Sequence, residues 1–145
     1  MTALDPFKGK IALIFGSGQN IGRAIALEFA ARGAKVAVAD LNAEGAEQTA
    51  QAIRDSGGEA IAISCNVTDS DAIRAAADAT AAQWGEPDIV MNNAGILHSG
   101  YPQDIPLAEW ERMFGVNFFA MIRSNEVFLP RMIERGSGWI INTAS

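Results

Sequence analysis

Residues 15–22 read Phe-Gly-Ser-Gly-Gln-Asn-Ile-Gly and stand between an apolar run and a stretch of helical period. Glycines in such a strand-to-helix turn let backbone N–H groups approach a pyrophosphate, and the helix N-terminus adds partial positive charge. Asp40 closes the next apolar run, 18 residues beyond Gly22. A carboxylate there can accept hydrogen bonds from the hydroxyls of an adenosine ribose. Together these features point to a dinucleotide held by Gly16, Ser17, Gly18, Asn20, Ile21 and Gly22 in the turn and by Asp40 with its neighbour Leu41. The alternative is a turn that holds no phosphate, with Asp40 capping a helix. Asn117 also asks for a reason, because it falls inside a helical stretch where asparagine is a mediocre helix former.

The elements that must position these residues alternate without a break. Strand-length runs at 10–15, 35–40, 60–65, 89–91 and 139–142 are apolar at nearly every position, which suits parallel strands covered on both faces. Between them the helical period predicts helices over 21–32, about 43–55, from a cap at Thr68 or Asp69 to Trp84, about 107–120, and 123–135. Gly33 takes the C-terminal stop of the first. Residues 95–106, with two glycines and two prolines, read as a long loop. Right-handed crossovers then give one α/β domain over 1–145: a doubly wound, Rossmann-type parallel sheet of five strands in the order 3-2-1-4-5, with helices on both faces. In such a sheet a ligand binds at the carboxyl ends of the strands, near the switch between strands 1 and 4.

Composition narrows the partners. The 145 residues carry a formal net charge of −6 and only three lysines, with no basic run, which argues against nucleic acid and anionic membrane surfaces. One cysteine and one histidine exclude an intrachain disulfide and a Cys/His zinc site, so no metal is expected. Cys65 reads as a small buried apolar residue. No apolar run reaches the roughly 18 residues of a membrane span, and residues 1–10 show no signal core. A cytoplasmic location is expected.

These residues resemble the short-chain dehydrogenases/reductases along the whole chain, in four motifs. That family's Thr-Gly-x-x-x-Gly-x-Gly turn is similar to residues 15–22, with Phe15 in place of Thr and Asn20 in place of the middle glycine. Asn accepts positive φ, so the turn is expected to survive. Phe15 lacks the hydroxyl that helps order the neighbouring loop in the family. The resemblance makes Asp40 a selector for NAD(H) over NADP(H), since a 2′-phosphate would meet a carboxylate. It sets Asn66 and Val67 against the adenine, where Asp-Val is usual, and it sets Asn93, Ala94 and Gly95 of Asn92-Asn-Ala-Gly95 beside the cofactor. It implies that Asn117 is the asparagine of the catalytic tetrad, holding a water in the proton relay. It also implies that Ser145 is the serine that hydrogen-bonds the substrate carbonyl.

The family's acid/base pair, a Tyr followed four residues later by a Lys and about a dozen residues beyond the serine, has no counterpart here. The only tyrosine, Tyr101, has Ile105 four residues on, and the lysines are Lys8, Lys10 and Lys35. Without a phenol beside an ammonium nothing exchanges the hydroxyl proton as hydride moves. His98 and Tyr101 read as solvated or substrate-lining loop residues. The expectation is a C-terminally incomplete domain, the cofactor-binding portion of an NAD(H)-dependent oxidoreductase acting on a secondary alcohol or ketone, inactive as 145 residues. The alternatives are a non-catalytic dinucleotide-binding or self-associating module, and a structural oligomer that binds no nucleotide. The apolar strand 139–142 would be an open edge. The helix over 123–135 carries Val127, Phe128, Leu129, Met132 and Ile133, more apolar surface than a solvated helix needs. Homo-oligomerisation or association with a C-terminal fragment is expected from that surface.

Overall fold

Segments that are apolar at successive positions can be buried on both faces, and here they form one parallel sheet. The structure is a computed structural model and describes residues 5–144. Strands β1 (Ile11–Phe15), β2 (Lys35–Asp40), β3 (Glu59–Ser64), β4 (Ile89–Asn92) and β5 (Trp139–Asn142) lie in the order β3-β2-β1-β4-β5. All neighbouring pairs are parallel. The helices are α1 (Asn20–Ala31), α2 (Ala43–Asp55), α3 (Ser70–Trp84), α4 (Leu107–Phe114) and α5 (Ala120–Arg135).

Alternation along the strands builds two cores. Ala12 and Ile14 of β1, with Val36 and Val38 of β2, pack on one face with Ala26 of α1 and Ala46, Ala50 and Ile53 of α2. Leu13, Phe15, Ala37 and Ala39 pack on the other with Ile73, Ala76 and Ala77 of α3 and Val127, Phe128 and Met132 of α5. The sheet is therefore doubly wound, in the order read from the sequence. Its register brings Phe15 opposite Ala39 and Asn92, and Asn92 opposite Asn142, so the carboxyl ends of four strands finish together.

Capping chemistry fixes where the helices start. Asn42 Oδ1 accepts from the Gly45 N–H at 3.1 Å to open α2. Asp69 Oδ1 accepts from the Asp71 N–H at 2.8 Å to open α3. Gly33, at φ 87°, follows the end of α1. The expected break between helices near 121–122 does not occur. A π-helical turn, Gly115–Phe119, joins α4 to α5 into one continuous rod. Met121 and Ile122 offer neither glycine nor proline to stop it. Within the expected loop 95–106, Pro102–Asp104 forms a short 3₁₀ turn.

Of the five apolar residues singled out in α5, Val127, Phe128 and Met132 are buried, while Leu129 and Ile133 are exposed. Leu107, Phe114, Phe118 and Ile122 are exposed further along the same rod. β5 ends the sheet on one side, with Trp139 and Ile141 exposed. Among the described residues no helix is long and apolar enough to cross a membrane, and no group of three His, Cys, Asp or Glu side chains could hold a metal ion.

Candidate functional site

The tips of β1, β2, β4 and β5 and the start of α1 surround a cleft of about 570 Å³, within the size range of small-molecule sites. Its floor exists because glycines let backbones touch. Gly16 sits at φ 74°, and a Cβ there would lie 2.5 Å from Ala94 Cα. A Cβ on Gly22 would lie 1.9 Å from the Gly16 carbonyl oxygen. Asn20 holds φ 48°, the left-handed conformation expected of an asparagine at this point of the turn.

The turn divides into an anchored half and an open half. The N–H groups of Gly16 and Ser17 donate to the Ala39 carbonyl at 2.8 and 3.3 Å. Ser17 is fully buried and its hydroxyl donates to the Ile14 carbonyl at 2.6 Å. The Gly18 N–H donates to Asp40 Oδ2 at 2.8 Å. Ser17 and Gly18 are therefore held inside the protein, and neither lines the cleft. Gly16, Asn20, Ile21 and Gly22 do line it, joined by Gln19. The first N–H groups of α1 have no intrahelical partner, and no side chain caps them.

Asp40 lines the cleft beside Leu41 and Asn42. Its Oδ1 accepts from the Asn42 N–H at 2.9 Å, and Asn42 is the cap of α2, so Asp40 is not itself the capping residue. Val67 lines the cleft, but Asn66 does not. The Asn66 Oδ1 accepts from the Thr68 N–H at 3.0 Å and from its hydroxyl at 2.8 Å, which engages the acceptor expected to face a base.

Asn93, Ala94 and Gly95 close the β4 side of the cleft. Asn93 is a crosslink between strand tips: Nδ2 donates to the Gly16 carbonyl at 3.1 Å, and Oδ1 accepts from the Thr143 hydroxyl at 3.0 Å. Asn92 Nδ2 donates to Asn142 Oδ1 at 2.8 Å. Asn117 lies in the π turn next to Gly95, and its side-chain amide pairs with the backbone of Ile96. Ser145 lies outside the described residues.

Five lining residues were not assigned to a binding site from the sequence: Gln19, Asn42, Cys65, Val116 and Thr143. Each is a chain neighbour of a motif residue or stands two positions from one, and that adjacency was the available signal. Cys65 is buried as expected, and burial, with Asp69 adding to it, pushes its thiol up to about 11.

The loop residues considered as replacements for the acid/base pair stay away from the cleft lining. Tyr101 is 74% exposed. His98 pairs with Glu109, Nδ1 to Oε2 at 3.2 Å. Lys35 and Lys10 lie at the amino ends of the strands, opposite the cleft: Lys35 opens β2 and reaches Glu59 at 3.5 Å, and Lys10 precedes β1 and reaches Asp88 at 3.9 Å.

A doubly wound sheet whose glycine-rich turn feeds a helix at the switch point, with a carboxylate at the next strand tip, defines a Rossmann-type domain. The sequence profile described as short chain dehydrogenase matches residues 10–145, and the chain belongs to that family. It is 38% identical over 137 residues to D-threitol dehydrogenase of Mycolicibacterium smegmatis, covering 94% of this chain and 53% of that protein. It is 37% identical over 139 residues to 7alpha-hydroxysteroid dehydrogenase of Escherichia coli K12, again covering 94% and 53%. Among solved structures, a short-chain type dehydrogenase/reductase from Mycobacterium marinum superposes with a TM-score of 0.92 at 36% identity, over 98% of this chain and 58% of that one. A 7 alpha-hydroxysteroid dehydrogenase complexed with NADH and 7-oxo glycochenodeoxycholic acid superposes with a TM-score of 0.91 at 35% identity, over 100% and 57%. The chain thus spans about half the length of the curated relatives it matches.

Proposed function

We propose that these residues form the cofactor-binding portion of an NAD(H)-dependent oxidoreductase acting on a secondary alcohol or ketone. One observation carries the reading: the uncapped N-terminus of α1 and the Asp40 carboxylate open into the same cleft. The free N–H groups of the first turn suit a pyrophosphate. Each Asp40 oxygen already accepts one backbone N–H and keeps further lone pairs for ribose hydroxyls. A 2′-phosphate in that place would meet like charge, which supports NAD(H) over NADP(H). Leu41 and Val67 offer apolar walls at that end, and Asn93, Ala94 and Gly95 line the other. The glycine contacts also fit, since a side chain at Gly16 or Gly22 would displace the backbone that shapes the cleft. Bound there, the cofactor supplies or accepts the hydride.

The remaining roles follow from the family. Asn117 orders the segment after β4 and takes the tetrad asparagine's place in the proton relay, and Ser145 takes the serine's place against the substrate carbonyl. No phenol–ammonium pair is present in these 145 residues, so they are proposed to bind cofactor without turning over substrate on their own. The names of the dehydrogenase relatives support an alcohol as substrate class. The exposed strip of α4 and α5 and the open edge of β5 support association with a second copy or with a C-terminal fragment. The acidic balance supports a protein without nucleic-acid or anionic-membrane partners, and a single cysteine suits a cytoplasmic location.

The test is a thermal melt with and without NADH. Binding to the native state raises Tm, and NADH is expected to raise it more than NADPH at equal concentration. A melting temperature indifferent to both would favour the structural oligomer instead. Turnover of an alcohol by the isolated 145-residue polypeptide would overturn its proposed inactivity.

A further inference from the structure

Helix α2 turns one polar residue into the protein. Its inward positions are Gly45, Ala46, Thr49, Ala50 and Ile53, and Thr49 is fully buried. Its hydroxyl lies 3.2 Å from the Gly18 carbonyl oxygen and 3.2 Å from Arg23 Nη1. A guanidinium only donates, so the hydroxyl accepts from Arg23 and its own proton is directed to Gly18. The α2 backbone also comes close here, because a Cβ on Gly45 would lie 3.0 Å from the same Gly18 oxygen. Gly18 is thus held on both sides, its carbonyl by Thr49 and its N–H by Asp40 at 2.8 Å. Gly18 also packs closely on Asp40, since a Cβ there would lie 2.9 Å from Asp40 Cγ.

We propose that Thr49 is a positioning residue for the dinucleotide: through Gly18 it fixes the Asp40 carboxylate in the orientation that accepts a free ribose and refuses a 2′-phosphate. This rests on the NAD(H) reading above. Without the Thr49 hydroxyl, the buried Gly18 carbonyl and the Arg23 donor lose their partner. Gly18 then relaxes, and one of the two N–H groups that hold Asp40 goes with it. The other, from Asn42, cannot fix the carboxylate plane alone.

The experiment measures NADH and NADPH dissociation constants by fluorescence titration, together with Tm, for the purified protein and three variants. Thr49→Val keeps the shape and removes the hydroxyl. It is expected to weaken NADH binding about tenfold and to narrow the preference over NADPH. Thr49→Ser restores the hydroxyl and is expected to return both toward the unsubstituted values. Thr80→Val is the control, removing an equally buried hydroxyl that donates to the Ala76 carbonyl at 2.8 Å on the other face of the sheet. It is expected to lower Tm without changing the preference. An unchanged preference in Thr49→Val, no rescue by Ser, or the same shift in Thr80→Val overturns the proposal. Should Thr49→Val fail to fold, Thr49→Ala, which removes the same hydroxyl from the bond to the Gly18 carbonyl with less bulk, carries the test: a narrowed preference is expected and an unchanged one overturns it. Failure of the unsubstituted protein to bind NADH overturns the NAD(H) reading, and this one with it.

Discussion

Asn117 and Ile96 exchange two hydrogen bonds: the amide Oδ1 accepts from the Ile96 N–H and Nδ2 donates to the Ile96 carbonyl, each at 2.8 Å. An asparagine side chain here does the work of a paired strand for the segment leaving β4. Both backbone groups of Ile96 are satisfied by one residue of the π turn, which explains an asparagine in the middle of a helical rod.

Replacing Asn117 by Leu leaves both Ile96 groups unpaired. The cost is expected to be about 1–3 kcal/mol, the penalty of groups that lose their partner, reduced where water reaches them. The readout is hydrogen exchange, which should quicken at Ile96 and the following loop before it changes in the sheet. Unchanged protection at Ile96 would show that the clasp does not order the loop.

Two glycines of the same cleft should respond oppositely to alanine. At Gly22 a Cβ would overlap the Gly16 carbonyl at 1.9 Å, and that contact is backbone on both sides. Gly22→Ala is expected to cost several kcal/mol, about the scale of a strained or overpacked core, and to abolish NADH binding. At Gly95 the nearest atom to a Cβ is Asn117 Oδ1 at 3.6 Å, an ordinary contact. Gly95→Ala is expected to leave denaturant stability within about 0.5 kcal/mol, the usual range for uncrowded positions. Equal losses in the two variants would contradict the distinction.

What the sequence made legible is what depends on pattern. Apolar runs such as Ile11–Phe15 and Lys35–Asp40 suit burial between two layers of helices, which makes the doubly wound architecture legible, and right-handed crossovers restrict the strand order. Positive φ at Asn20 was legible for the same reason, because few residues besides glycine adopt it. Which groups face the cleft was less legible. Ser17 looks like a phosphate ligand, yet its hydroxyl turns inward to Ile14. Asn66 looks like a base acceptor, yet its oxygen closes a local turn with Thr68. In both, a short polar side chain found a nearer backbone partner, a competition that sequence spacing does not register. The π turn that joins α4 to α5 holds Asn117 against Ile96, 21 residues away, and a helical period read along the chain does not register such a contact.

Arg131 links α5 to α3 and to the turn before β4, reaching Asp78 at 3.4 Å and Glu86 at 3.1 Å. All three side chains are partly exposed. Exposed pairs are worth about 0–1 kcal/mol, so Arg131→Ala is expected to cost no more than about 1 kcal/mol, and less in high salt, where such pairs are screened. Urea unfolding at low and high ionic strength checks this. A loss that persists in high salt would point to packing of the arginine stem instead.

Cys65 gives the chain a pH dependence of definite sign. Its thiol is pushed from 9.0 up to about 11, first by burial and second by the Asp69 charge. The folded chain therefore keeps the proton at pH values where an unfolded chain has released it. Between about pH 9 and about pH 11 the folded state binds more protons, so stability falls as pH rises through that window. Below it both states are protonated and the thiol contributes nothing to the slope. Cys65→Ala removes the group and leaves the rest of the chain unchanged. Urea midpoints measured from pH 8 upward should thus fall more steeply for the natural chain than for the variant. Parallel curves would show that the thiol ionises alike in both states. The same shift keeps the thiolate scarce near neutral pH, so alkylation of the folded protein is expected to be slow. Because Cys65 lines the cleft, bound NADH should slow it further.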